Sequence, residues 1–211
     1  NPMTRLHLSI ILTAALALPL GACVPAPQTR SSVASASAVP IKASAPKAKN
    51  VILFIGDGMG ISTVTAARIY AGQKLGLSGE EHVLPFESFG NVALVKTYNI
   101  NAQVADSAGT TSAMHTGLKT NIGMLGIGPE APRGDCAASL QHRLPLLGEQ
   151  VTARGLALGF VTTTRITHAT PAAIYAHAPD RDWESDAAIP EAERGKGCTD
   201  IASQLISKRF D

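Results

Sequence analysis

The stretch "VILFIGDGMG" at 51–60 constrains the fold most. An unbroken apolar run over 51–55 is the pattern of a strand covered on both faces in a parallel sheet. It breaks abruptly at Gly56, Asp57, Gly58 and Gly60. Glycines on either side of Asp57 let the backbone turn sharply and give a ligand close access to the carboxylate. A turn-capping aspartate has the same look, since Gly-Asp-Gly is common in plain turns. "GDGMG" has neither the spacing of a dinucleotide fingerprint nor the lysine of a phosphate loop.

The rest of the chain continues the alternation. "ISTVTAARIYAGQ" has helical spacing, "NVALVKTY" reads as a second strand, and "AGTTSAMHTGLK" as a helix rich in small residues. A helix-like stretch around "RLPLLGEQVTARG" leads into "LALGFVTTT", a third buried strand, and "TDIASQLISKRF" reads as an amphipathic helix. This order favours an α/β fold, a layered sandwich with a mainly parallel central sheet. Ligands in such sheets collect at the carboxyl ends of the strands. Asp57, the pair Asp106 and Ser107, and His168 with Thr170 all fall at such places.

Before the folded part, "TRLHLSIILTAALALPLGAC" after Met3 carries a positive residue at Arg5, an apolar run and small residues ending at Cys23, as in an export signal over 3–23. "LGAC" resembles a bacterial lipobox, which makes Cys23 the expected lipidated residue; ordinary cleavage near Ala22 is the alternative. Residues 24–48 are rich in Ala, Ser and Pro and read as a tether, so the domain is expected over 49–211. The expected location is the periplasm or the outer membrane, with a lipid anchor to the membrane. A net charge of +2, with no Lys/Arg-rich run, gives no reason to expect a nucleic-acid partner.

Ser107 precedes a helix start, where backbone N–H groups and the helix dipole favour an anion such as phosphate. A serine hydroxyl needs a base or a metal to become a nucleophile, and no Ser/His/Asp order or G-x-S-x-G elbow surrounds it. A metal is the more economical activator. Equally, Asp106 or Ser107 could simply cap the helix. The hydroxyls of Thr110, Thr111, Ser112, Thr116 and Thr120 read as small packing residues. His168 and Thr170, one residue apart in "RITHATP", can point an imidazole and a hydroxyl at one ion, or belong to an ordinary surface loop. Arg181 in "APDRDW" could clamp a phosphate with its planar fork of donors, or pair with Asp180 or Asp182.

Taken together, "VILFIGDGMG", "VADSAGTTSAMHTGLKTNIGMLGI", "VTTTRITHATPAAIYAHAPDRDW" and "GCTDIASQLI", in this order, resemble the amino-terminal part of the alkaline phosphatase family, its animal-type branch in particular. The resemblance implies that Asp57 bridges a zinc and the magnesium. It implies that Ser107 is the nucleophile, becoming a phosphoserine and touching a second zinc, and that Arg181 holds the phosphate oxygens. His168 and Thr170 match the pair serving magnesium; "HAT" is a mixed form, since other bacterial members have Asp for the His and animal-type ones usually have Ser for the Thr. Asp106 matches the acid that orients the arginine.

The implied reaction is hydrolysis of phosphate monoesters by double displacement, with two zinc ions and one magnesium in the complete protein, and a homodimer as the assembly. A sulfatase or phosphoglycerate mutase of the same superfamily is a weaker reading; the sulfatase motif C/S-x-P-x-R is missing from "DSAGT". Cys136 and Cys198 occupy positions resembling a disulfide pair of the animal-type enzymes, with two buried free thiols as the alternative. An exported protein can hold such a bond, and Cys23 is then the odd thiol.

The family's remaining ligands, several Asp and His and a Glu, are expected beyond Asp211. His7, His82, His115, His142 and His177 show no close pairing to replace them. The chain is therefore expected to be the amino-terminal half of the domain and inactive by itself. The other reading is a short exported protein without catalysis that binds phosphate or magnesium.

Overall fold

The computed structural model describes residues 48–208. The signal, Cys23 and the tether up to residue 47 lie outside the described residues. Contacts divide the chain into Asn1–Val51 and Ile52–Asp211, and the helices of the described residues belong to the second unit. Among the described residues no helix is long and apolar enough to cross a membrane.

Several of the helices start behind a capping side chain. α1, without one, spans Ile61–Lys74. α2, Ser107–Thr116, starts at Asp106, whose carboxylate accepts the Gly109 N–H, and ends at Gly117, whose φ of 79° is open to glycine at little cost. α3, Cys136–Gln141, is capped in the same way by Asp135, and α6, Ile201–Ser207, by Asp200. α4, again without a capping side chain, covers Leu147–Thr152 and α5 the short Ala169–Ala172. α3 and α5 have no counterpart among the helices expected from the sequence; the other four coincide with expected ones.

The core is built from small side chains. Ala108 of α2, Ala169 and Ala172 of α5, and Ala173, Ala176 and Ala178 share one buried cluster with Leu125, Tyr175 and Ile201. Alanines let α2 and α5 pack closely, which brings the start of α2 beside the start of α5. An antiparallel bridge adds to this: Leu125 and Ala178 exchange backbone hydrogen bonds of 2.9 and 3.0 Å. In that register the Arg181 N–H donates to the Gly123 carbonyl at 2.8 Å.

Cys136 and Cys198 form a disulfide with their Cα atoms 5.8 Å apart, packed with Trp183 and Ile189. The alternative of two free thiols is set aside.

The strands differ from expectation. Segments 51–55, 91–98 and 156–164 carry no ladder, and the bridges among the described residues are isolated ones. Phe54 is 88% exposed, Leu94 95% and Val161 fully so. A strand with two apolar faces needs hydrogen-bonding neighbours at both edges and cover on both faces. Among the described residues none of these segments has a neighbouring strand, and cover is partial at most, as where Phe160 packs on the alanine cluster and stacks on Tyr175, so no ladder forms.

Candidate active site

Asp106 organises the site from the cap of α2. Its Oδ1 accepts from the Gly109 N–H and from Asn99 Nδ2, both at 3.0 Å. Its Oδ2 accepts from the Gly123 N–H and from Arg181 Nη1, both at 3.1 Å. Burial alone would raise the Asp106 carboxyl, yet the Gly109 and Gly123 amides, Arg181 and Asn99 together outweigh it and hold it below the usual range. A carboxylate so satisfied is a fixed anion that orients other groups rather than a proton acceptor.

Arg181 is held by that anion and reaches two further groups. Nη1 donates to Ser107 Oγ at 2.9 Å, and Nη2 lies 3.0 Å from His168 Nε2. An arginine can only donate, so in this contact Nε2 is the acceptor; the other ring nitrogen, Nδ1, lies 3.4 Å from the Thr170 backbone nitrogen. Nδ1 also faces Asp57 Oδ2 at 3.9 Å. The same Asp57 oxygen accepts from Thr170 Oγ1 at 2.6 Å. Asp57, Asp106, Ser107, His168, Thr170 and Arg181 are thus brought into one connected group. The bland pairing of Arg181 with its acidic neighbours is replaced by another: Arg133 takes Asp180 through two bonds of 2.8 and 2.9 Å and approaches Asp182 at 3.5 Å.

A cleft of about 450 Å³ opens between the turn at 56–60 and the start of α2, lined among others by Asp57, Met59, Asp106, Ser107, Thr110 and Thr170. Ser107 is half-buried at the first position of α2. There the helix dipole and the Arg181 guanidinium both favour a phosphate beside its hydroxyl. The remaining hydroxyls are structural. Thr110 and Thr111 donate back to the Asp106 and Ser107 carbonyls at 2.8 and 2.5 Å. Ser112 donates to Met124 O at 3.1 Å and Thr120 to Ile127 O at 2.5 Å, both buried.

Two contributors have no sequence signal of their own. Asn99 is 2% exposed and presses against Gly109, where a Cβ would lie 2.4 Å from its Oδ1. Gly123 combines a φ of 81° with a Cβ position 2.3 Å from the Arg133 guanidinium carbon. Both shape the cradle of Asp106.

As metal donors, the Asp57 carboxylate, the Thr170 hydroxyl and the His168 imidazole converge. Oxygen donors with one carboxylate suit magnesium, which keeps several waters, and an imidazole suits zinc. Among the described residues no group of three or more His, Cys, Asp or Glu side chains is arranged to hold a metal. The converging set fits as part of a coordination shell.

The family model described as alkaline phosphatase matches residues 48–211. The tissue-nonspecific isozyme of alkaline phosphatase from Gallus gallus is 50% identical over 159 residues, 75% of this chain and 31% of that protein. The isozyme from Homo sapiens is likewise 50% identical over 159 residues, covering 75% of this chain and 30% of that protein. The matched segment thus spans about a third of these curated relatives. Among solved structures, the cold-active alkaline phosphatase of a psychrophilic Shewanella aligns with a TM-score of 0.52 at 24% identity, over 72% of this chain and 38% of that one. The fold is alkaline-phosphatase-like.

Proposed function

The chain belongs to the alkaline phosphatase family, and we propose that the complete protein hydrolyses phosphate monoesters through a phosphoserine at Ser107. The observation that carries this reading is the position of Arg181 Nη1, shared between Asp106 Oδ2 and Ser107 Oγ at 3.1 and 2.9 Å. One guanidinium, oriented by a fixed carboxylate, stands beside the hydroxyl that would attack phosphorus.

In the proposed reaction Arg181 binds two phosphoryl oxygens with its planar fork and Asp106 keeps that fork from turning. Ser107 Oγ forms the new P–O bond as the ester P–O bond breaks, and the alcohol leaves. The phosphoserine is then hydrolysed by water, freeing phosphate and restoring the hydroxyl. Positive charge from Arg181 and the N-terminus of α2 offsets the charge spread over the phosphoryl oxygens. Zinc and magnesium, held in part by Asp57, His168, Thr170 and Ser107, would supply Lewis-acid charge that lowers the proton affinity of the serine hydroxyl. Because the chain's residues grip mainly the phosphoryl group, many monoesters should be accepted.

Residues 49–211 are proposed as the amino-terminal half of the domain, with segments 51–55, 91–98 and 156–164 taking their places in a mainly parallel sheet in the complete protein. Two zinc ions and one magnesium are proposed there, in a homodimer. Export to the periplasm or outer membrane, with lipidation at Cys23, rests on the sequence of residues 3–23. With only part of a coordination shell among the described residues, residues 24–211 alone are expected to show no turnover even with added zinc.

The test is monoester hydrolysis by the complete protein. Turnover that needs zinc and disappears in Ser107→Ala supports the reading. Turnover unchanged in that variant overturns it.

A further inference from the structure

Glu184 lies outside the cleft, yet it ties together the two segments that carry His168 and Arg181. Its carboxylate is gripped at both oxygens by Arg165, Nε to Oε2 at 2.9 Å and Nη2 to Oε1 at 2.6 Å. Thr167 Oγ1 donates to the same Oε2 at 2.5 Å. Glu184 is thus bonded to the residues at 165 and 167, on the approach to His168. The Arg165 carbonyl in turn accepts the His168 N–H at 3.0 Å, and the Ile166 carbonyl accepts from the Tyr175 hydroxyl at 2.8 Å. These bonds hold the backbone from which the His168 side chain projects.

Glu184 is itself anchored. Its carbonyl accepts from the Ala202 N–H at 3.2 Å, and that of Trp183 accepts from the Ile201 N–H at 3.0 Å, which docks this segment on the start of α6. Trp183 is buried beside the disulfide. The Arg165 side chain is 69% exposed and that of Glu184 23%; isolated surface pairs carry little, and the bidentate geometry together with the Thr167 bond is what sets this one apart.

We infer that Glu184 is a positioning residue for phosphate binding: its bonds to Arg165 and Thr167 set His168, whose Nε2 in turn holds the second nitrogen of Arg181 in place. The inference rests on Arg181 being the phosphate-binding arginine of the proposed function. Glu184 touches neither substrate nor reacting atoms and acts only through the 165–168 loop.

The experiment compares the complete protein with Glu184→Ala, Glu184→Gln, the pair Arg165→Ala with Thr167→Val, and the triple combination. The readouts are the inhibition constant of inorganic phosphate, KM and kcat for one monoester, and the melting temperature. In Glu184→Ala the inhibition constant and KM should rise about tenfold, the factor of one charge-assisted hydrogen bond, while kcat changes less. Glu184→Gln keeps one acceptor oxygen for three donors and should fall between. The Arg165/Thr167 pair should reproduce the effect, and the triple variant should add little to it, because the three side chains act as one unit. A lowered melting temperature with unchanged inhibition constant and KM in both Glu184 variants overturns the inference and leaves a structural clamp. Additive effects in the triple variant overturn it too. If the unaltered protein neither turns over nor is inhibited by phosphate, the proposed function and this inference fall together.

Discussion

Arg181 Nη1 stands 2.9 Å from Ser107 Oγ, so the cation that would bind phosphate already touches the hydroxyl that would attack it. The contact exists because Asp106, the cap of the same helix, holds the guanidinium from the other side. Arg181→Lys keeps the charge but offers one ammonium where the fork serves Asp106, Ser107 and His168 at once. Inhibition by inorganic phosphate should weaken about tenfold or more in Arg181→Lys and further in Arg181→Ala, with little change in melting temperature.

Asp106→Ala removes the helix cap and leaves the buried Asn99 amide and the Gly123 N–H without this acceptor. Loss of a cap costs about 1–2 kcal/mol, and the unpaired buried donors add to it. Chemical denaturation should show a loss at or above that size, together with weaker phosphate inhibition. Loss of stability without loss of phosphate affinity would contradict the orienting role.

Gly123→Ala should destabilise through the backbone. A side chain at φ 81° is strained, and its Cβ would meet the Arg133 guanidinium, whose bonds to Asp180 would have to move. A cost above about 1 kcal/mol is expected in denaturation measurements. With Asp180 released to compete for Arg181, phosphate inhibition should weaken as well.

The helices were legible where a long run met a recognisable cap, as at α2 behind Asp106 and α6 behind Asp200. α5 was not, because Ala169–Ala172 is a single turn with Pro171 inside it, and α3 hid behind Asp135 in a stretch of small residues. The three apolar runs were readable as strand-forming segments, but pairing depends on neighbours that a run does not encode. The polar residues at the ends of those runs, Asp57, Ser107, His168 and Thr170, marked the site. Asn99 and Gly123 did not, since a single buried amide has no periodicity and the place of Gly123 depends on the bridge between Leu125 and Ala178. Glu184 escaped notice for the same reason: its partners, Arg165 and Thr167, lie in another segment.

Acid should release the Glu184 clamp late. Its hydrogen bonds from Arg165 lower its pKa to about 2, outweighing the opposing effect of burial, with a further lowering from Thr167. A carboxylate depressed in the fold stabilises above its unfolded pKa of about 4.3, and that contribution is lost as the pH falls toward the folded value of about 2. The gap in melting temperature between the unaltered protein and Glu184→Gln should therefore be constant from neutrality to about pH 5 and close below it. A gap that stays constant down to the folded value would mean that the charge of Glu184 does not contribute.

The most direct measurement is to quench the complete protein in acid during turnover of a phosphate-labelled monoester and to map the labelled peptide. Label on Ser107, absent in Ser107→Ala, is the expected result. Label on another residue, or full turnover with Ser107 replaced, would contradict the assignment of Ser107 as the nucleophile.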